Sequence, residues 1–245
     1  MGERKVGLIT GGGTGTGKAV ALELAKRGVD IIINYSRSKQ EAEQTAAEIR
    51  QCGVACLVQQ ADVSDDGQVR AMVENGVAHF GRLDYLVNSS GVTVFVDLKD
   101  LEGLKPEHWD RIMDVNVKGL FYVCRAASPY LKQSQGSIVN ITSIAGITGL
   151  GSSIAYAASK AAAISVTKSL ARALAPEVRV NSVAPGIILT RWVEGQDAHI
   201  KRLSEGTPLG RVCSPEDVAE VVLPLLMTAG MVTGQTLVVD GGMTL

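Results

Sequence analysis

The chain reads as an α/β protein of the doubly wound kind, a parallel seven-stranded sheet with helices on both faces, in a single domain over residues 1–245. Two observations predict this. Seven short apolar runs alternate with segments of helical periodicity, the rhythm of successive βα units, which implies a parallel sheet covered on both sides. The first apolar run also passes through a glycine-rich turn directly into a helix, the local arrangement that cradles phosphates. A length of 245 residues suits one large α/β domain and does not force a second.

The elements follow in order. Val6–Thr10 is the first strand, and Gly11, Gly12, Gly13, Thr14, Gly15, Thr16 and Gly17 form the turn. Lys18–Arg27 has helical periodicity and stops at Gly28, a plausible C′ glycine. Glycines let the backbone approach a pyrophosphate, and the helix N-terminus offers free N–H groups and positive dipole. Val29–Asn34 is a second strand. Ser38-x-x-Glu41 is a capping-box signature for a helix running to about Gln51. Between them lie Tyr35, Ser36, Arg37 and Ser38. In dinucleotide folds the end of this strand meets the adenosine ribose, where a carboxylate favours a free 2′-hydroxyl. None is present, and Arg37 is available to pair with a 2′-phosphate, so NADP(H) is expected with NAD(H) as the alternative.

Ala55–Gln60 is the third strand, followed by Asp62 and Val63, and Ser64 is placed to cap a helix reaching Phe80. Leu83–Val87 is the fourth, ending in Asn88-Ser89-Ser90-Gly91. A mixed loop over 92–105 precedes Pro106, which suits the first turn of a helix carrying Trp109, Ile112, Met113, Val117, Leu120 and Phe121. Asn116 lies among these apolar residues, so its amide is satisfied in the core or turned toward a site. Ser137–Ile141 and Val178–Ala184 are the fifth and sixth strands. Residues 187–213 break the βα rhythm and are long enough for a lid or substrate wall. Ser214-Pro215-Glu216-Asp217 starts a helix with a cap, a proline and an acidic first turn, and Thr236–Val239 is the last strand. Asp240, Gly241 and Gly242 are turn residues.

Composition excludes several classes. With 46% hydrophobic residues, 20% charged and a formal charge of −1, nothing points to nucleic acid or an anionic membrane surface. No run approaches the ~18 apolar residues of a spanning helix. The N-terminus leads straight into a strand, which leaves no room for a signal peptide. Four cysteines lack the density of a disulfide framework and fit a reduced, cytoplasmic setting. Cys52-x3-Cys56 has no companion His or Cys cluster, so no metal is expected. His79 and His108 read as structural or exposed. His199 and Trp192, in the 187–213 segment, are candidate substrate contacts.

The chemistry concentrates between Ser143 and Lys160. Ile154–Leu174 reads as a helix, and on it Tyr156 and Lys160 lie four apart on one face. A free phenol titrates near pH ~10, and a nearby positive charge lowers that value. The pair can therefore place a general acid–base group at neutral pH. Ser143 follows the fifth strand, where its hydroxyl can bond the same substrate oxygen. A Tyr-x3-Lys pair arises by chance in about one chain in five of this composition. Its weight comes from the nucleotide site that precedes it.

Taken together, these landmarks resemble the short-chain dehydrogenase/reductases of the single-domain branch, over Val6–Leu245. They occur in that family's order: Thr10-Gly11-x3-Gly15-x-Gly17, Asp62, Asn88-x-x-Gly91, Asn116, Ser143, Tyr156-x3-Lys160, Pro185-Gly186 and Thr190. The resemblance implies a Rossmann-type fold, a carbonyl or secondary-alcohol substrate, and a homotetramer. It implies that the glycine turn holds the pyrophosphate, Asp62 and the Val63 backbone the adenine, and that Asn88 borders the adenosine side. Tyr156 would be the acid in reduction and the base in oxidation. Lys160 would depress the Tyr156 pKa and hold the nicotinamide ribose. Ser143 would polarise the substrate oxygen, and Asn116 would hold a water linking Lys160 to solvent. The loop from Pro185 through Gly186 and Ile188 to Thr190 would pin the carboxamide. Hydride comes from the cofactor, and the protein orients it.

Some positions depart from that pattern. Ser89 and Ser90 stand where the family usually has Asn and Ala. Thr14 replaces the basic residue that many NADP-dependent members carry in the turn, and Tyr35 stands at the acidic position of NAD-dependent members. The nearest general resemblance is to 3-oxoacyl-(acyl-carrier-protein) reductases, though a single Lys132 precedes the fifth strand and the 92–105 loop is long. A non-catalytic NADP sensor on the same fold is the reading from another class. The intact Asn116, Ser143, Tyr156 and Lys160 argue against it. An epimerase or dehydratase would need a C-terminal substrate domain that these residues do not supply.

Overall fold

The computed structural model describes residues 4–190 and 203–245. Its strands are β1 (Val6–Thr10), β2 (Asp30–Tyr35), β3 (Cys56–Gln60), β4 (Tyr85–Asn88), β5 (Ser137–Ile141), β6 (Arg179–Pro185) and β7 (Thr236–Val239). They form one seven-stranded sheet in the order β3-β2-β1-β4-β5-β6-β7. Every pairing is parallel. The helices are α1 (Gly15–Ala25), α2 (Lys39–Gln51), α3 (Asp66–Phe80), α4 (Pro106–Met113), α5 (Leu120–Ser134), the one-turn α6 (Ala145–Thr148), α7 (Ile154–Leu174) and α8 (Pro215–Met227). The predicted strands recur within two residues, and β1, β5, α7 and β7 have the predicted bounds.

Strand alternation builds two cores. Ile9, Ile31, Ile33, Val87, Val139 and Val183 face one way, against apolar residues of α1, α2 and α8. Their neighbours Leu8, Ile32, Leu86, Ile138 and Val180 face the other way, against α3, α5 and α7. Burial on both faces is why Val6–Ile9 of β1 are apolar.

Toward the carboxyl ends of β1, β4 and β5 this pattern changes, in a row that runs on through the middle of β6 to the start of β7. Thr10, Asn88, Asn140, Ser182 and Thr236 stand in register across β1, β4, β5, β6 and β7. The Asn88 amide donates to Asn140 Oδ1 (2.9 Å), the Asn140 amide donates to Thr167 Oγ1 (2.9 Å), and Ser182 Oγ lies 2.7 Å from Thr236 Oγ1. A polar row thus lies between the apolar core and the cleft.

Several local expectations are corrected. Helix α1 begins at Gly15, inside the glycine turn. Ser38 precedes α2 but its side chain makes no capping bond. Ser64 does not cap α3. Asp65 does, accepting from Gln68 N, while the Ser64 hydroxyl donates to Asp62 (2.6 Å). The helix begun at Pro106 is interrupted by a π-helical segment, Asp114–Gly119, before α5. Its wider turn carries Asn116, and such π segments are frequent at functional sites.

Candidate active site

The strand order reverses between β1 and β4, so a crevice opens outside their carboxyl ends, where doubly wound sheets bind ligands. One wall is the glycine turn. A Cβ on Gly17 would come within 2.4 Å of the Gly11 carbonyl oxygen, and one on Gly13 within 2.9 Å of the Ala42 backbone. Gly11 and Gly15 have φ of +61° and +51°. The turn is therefore a wall of bare backbone. Thr14, the N-cap of α1, makes no side-chain capping bond, and the first turn carries no acidic residue. The positive end of α1 is left for an external anion. Thr16 is buried beside it. These features fit the pyrophosphate of a dinucleotide.

β4 closes the other side. Thr10 Oγ1 accepts from the backbone N–H of both Ser89 and Ser90 (3.1 Å each), which ties the end of β4 to the end of β1. Asn88 is buried, bonded to Asn140 and to the Cys124 sulfur (3.2 Å), with its Oδ1 unpartnered. Its side chain belongs to the polar row beneath the crevice. Tyr35 also turns inward, into the core against α1 and α2. At the end of β2 the exposed group is Arg37, whose guanidinium has no ion-pair partner among the described residues, with Ser36 and Ser38 half-buried beside it.

The acid–base group assembles where β5 ends. Lys160 is buried, and its ammonium donates to the Ile141 carbonyl (2.9 Å) and lies 5.6 Å from the Tyr156 ring centre. The Ser143 hydroxyl is hydrogen-bonded to Tyr156 and accepts from Ala145 N at 3.1 Å. Gly146 lies directly on Lys160, since a Cβ there would meet the Lys160 carbonyl carbon at 2.5 Å. This close approach seats α6 on α7. Asn116 donates to the Val92 carbonyl (3.0 Å) and to Ser159 Oγ (3.0 Å), and accepts from Val92 N (2.9 Å). Ser159 in turn donates to the Tyr156 carbonyl (2.7 Å). The amide of Asn116 thus ties the loop after Gly91 to the Tyr156 helix.

Charge in this group is set by burial. Burial pushes the Tyr156 phenol up to about 12, opposed by the hydrogen bond to Ser143. Burial pushes the Lys160 ammonium down to about 8. The expected depression of the Tyr156 pKa by Lys160 is not seen. The ammonium lies over the ring and is spent on the Ile141 carbonyl.

Beyond β6 the chain folds back over the glycine turn. Ile144 N donates to the Pro185 carbonyl, and Gly186 N to Val239. Ile188 bridges Cys213, and a Cβ on Gly15 would lie 3.3 Å from the Thr190 methyl. Of the expected lid, 187–190 and 203–213 are described. Trp192 and His199 lie outside the described residues. His79 is exposed, and His108 accepts from Lys105 N. Among the described residues no group of three or more His, Cys, Asp or Glu could hold a metal ion, and no helix is long and apolar enough to cross a membrane.

Asp62 has more partners than expected. It accepts from Ser64 N (2.9 Å) and Ser64 Oγ on one oxygen and from Arg111 on the other. Val63 is buried behind it, against Gly119 of the π segment. Sequence reading missed Arg111, Ser159 and the Thr93–Ser152 contact (2.5 Å between hydroxyl oxygens) that joins the 92–105 loop to the loop before α7. Only Ser159, next to Lys160 and one turn from Tyr156, had a positional signal.

Comparison with known proteins agrees with this fold. The family profile described as enoyl-(acyl carrier protein) reductase matches residues 11–244. A Streptomyces violaceoruber protein described as ketoacyl reductase 2 of the granaticin polyketide synthase is 43% identical over 98% of this chain and 96% of its own length. The 3-oxoacyl-(acyl-carrier-protein) reductase of Staphylococcus aureus is 38% identical over 98% of both. A solved Burkholderia xenovorans structure described as a short-chain dehydrogenase/reductase superposes with a TM-score of 0.94 at 35% identity, covering 99% of both chains. An NAD+-bound xylitol dehydrogenase superposes at 0.90 and 30% identity, covering 99% of this chain and 100% of its own.

Proposed function

The chain belongs to the short-chain dehydrogenase/reductase family and is an NAD(P)-dependent oxidoreductase acting on CH–OH groups, and from that premise we propose that it interconverts a ketone and a secondary alcohol with Tyr156 as the acid–base group. The observation that carries this reading is the convergence of Ser143, Tyr156 and Lys160 at the end of β5, beside a bare glycine wall.

When bound, the nicotinamide supplies or accepts the hydride. Gly11–Gly17 and the N-terminus of α1 would hold the pyrophosphate, and the Pro185–Thr190 loop would hold the nicotinamide. Ser143 donates a hydrogen bond to the substrate oxygen. Tyr156 gives that oxygen its proton in reduction and takes it back in oxidation. A phenol held near 12 is fully protonated at neutral pH, which suits the acid role. The phenolate left after proton transfer faces the Lys160 ammonium, so Lys160 favours the charged product more than the neutral phenol. Lys160 would also hold the ribose hydroxyls, and Asn116 keeps the Val92 loop beside it.

NADP(H) is the proposed cofactor, with NAD(H) as the alternative. Arg37 is exposed at the end of β2 and no carboxylate stands there. Two relatives are described as acting on ketoacyl or 3-oxoacyl groups, and Phe95 and Leu150 are exposed on the two loops joined by Thr93 and Ser152, with Ile147 exposed on α6 just before the second. A substrate with an apolar chain next to its carbonyl fits that rim. The four thiols support a reducing, cytoplasmic setting.

The test is oxidation of NADPH and NADH against ketones, β-keto esters and 3-oxoacyl thioesters. Turnover with NADPH favoured is expected. Tight NADPH binding without turnover on any of these would support the non-catalytic sensor instead.

A further inference from the structure

We propose that Arg111 is a positioning residue for recognition of the purine, holding the Asp62 carboxylate in the one orientation that accepts a 6-amino group. The proposal rests on the reading of Asp62 as the adenine contact.

Asp62, Ser64 and Arg111 form a closed ring of hydrogen bonds. Asp62 Oδ1 accepts from Ser64 N at 2.9 Å and from Ser64 Oγ at 2.6 Å. Oδ2 accepts from Arg111 Nη1 at 3.4 Å and Nη2 at 3.3 Å. Arg111 Nη1 also donates to Ser64 Oγ at 3.1 Å, which closes the ring. The Asp62 side chain stays 33% exposed, so it borders solvent rather than the core.

This arrangement does something that Ser64 alone does not. Ser64 reaches only one oxygen, which leaves the other free to swing about the terminal torsion of the side chain, a broad two-fold rotor. The Arg111 fork occupies the second oxygen and fixes the plane. Burial of Asp62 acts to raise its pKa, and the Ser64 bonds and the Arg111 charge lower it, with a net decrease. Asp62 is therefore ionised at neutral pH and only accepts. A 6-amino purine offers it a donor, whereas a 6-oxo purine turns an acceptor toward it. Arg111, committed to Asp62, is not available to satisfy that 6-oxo group.

Arg111 comes from α4, remote in sequence from Asp62, and the fit of α4 is fixed by neighbouring features. Pro106 starts the helix, Ile112 anchors it in the core, and the π segment that follows packs Gly119 against Val63. The helix that leads into Asn116 at the acid–base end therefore also sets the adenine end.

The experiment measures dissociation constants, by fluorescence of the bound reduced cofactor, for NADPH, for its hypoxanthine counterpart and for reduced nicotinamide mononucleotide. The proteins are the wild type, Arg111→Ala, Arg111→Lys and Asp62→Ala, each with its unfolding midpoint recorded. The wild type is expected to prefer adenine over hypoxanthine by about tenfold or more. In Arg111→Ala, NADPH binding weakens about five- to tenfold, the hypoxanthine form changes little, and the mononucleotide not at all. Arg111→Lys restores part of the preference. Equal weakening of both dinucleotides, or an unchanged preference in Arg111→Ala, overturns the role of Arg111 while leaving Asp62 in place. An unchanged preference in Asp62→Ala overturns both the adenine reading of Asp62 and the proposal built on it.

Discussion

At the scale of the residue, the site depends on where burial puts protons. Lys160 is charged below about 8 and neutral above it, because burial disfavours the ammonium. Its unfolded value is higher, so the folded protein carries the cost of a buried charge below about 8 and is relieved of it as pH rises toward 10.5. Activity runs the other way. Reduction uses the ammonium to stabilise the Tyr156 phenolate, so kcat/KM for carbonyl reduction should be flat below about 8 and fall as pH rises through it. A pH–rate profile with no falling limb before 10 would contradict the role given to Lys160. Arg37 is the second residue-scale test. Arg37→Ala should raise KM for NADPH about tenfold and leave KM for NADH nearly unchanged, as steady-state kinetics with both cofactors will show. Equal effects would remove Arg37 from the 2′-phosphate.

The residue scale is also where the sequence was least legible. Arg111 and Asp62 are 49 positions apart, and no spacing rule connects them. Ser64 looked like a helix cap, because Ser before a helix usually is one, but Asp62 two residues earlier takes its hydroxyl. The Tyr156–Lys160 pair was legible because a helix of 21 residues fixes the i,i+4 relation. Its pKa consequence was not, because the ammonium is diverted to Ile141 by a contact between elements.

At the scale of the element, the strands were legible to within a residue or two, since a strand buried on both faces is a short apolar run with abrupt ends. The π segment was not. Over six residues a wider turn leaves no mark that can be separated from ordinary helical periodicity. Element ends depend on distant partners too. The carboxyl end of α8 is capped by Arg179 from β6, which donates to the carbonyls of Leu225 (2.6 Å), Leu226 (2.9 Å) and Ala229 (3.0 Å). Arg179→Ala should destabilise the protein by about 2–4 kcal/mol in chemical denaturation, because several half-buried carbonyls lose their donor together. A change under ~0.5 kcal/mol would mean water replaces it. In the glycine turn, Gly17→Ala would force a Cβ against the Gly11 carbonyl oxygen, now 2.4 Å from that position. Dinucleotide affinity should drop at least tenfold in a titration, since either the turn or the helix N-terminus must move.

At the scale of the whole molecule, strand order gives each region its task. The reversal between β1 and β4 opens the crevice, and Thr10, Asn88 and Asn140 lie beneath it, so hydrogen bonds hold the ends of β1, β4 and β5. The α4–α5 region connects the adenine end, through Arg111, with the acid–base end, through Asn116. A homotetramer is our proposal for the assembly. Phe121, Ala162, Val166 and Leu170, with Ser165 and Ser169, line a groove of about 330 Å³ on α5 and α7, and in this proposal a second copy covers it. Sedimentation should give a mass of four chains, and a monomer at micromolar concentration would contradict the assembly.

The central claim is that Tyr156 moves the proton while the glycine wall holds the cofactor, two tasks on separate elements. Turnover and NADPH affinity measured side by side in Tyr156→Phe test it most directly. The account predicts a loss of at least a thousandfold in turnover on every ketone the wild type reduces, with NADPH bound within about threefold of wild type. Substantial turnover without the phenol, or loss of cofactor binding along with activity, would contradict it.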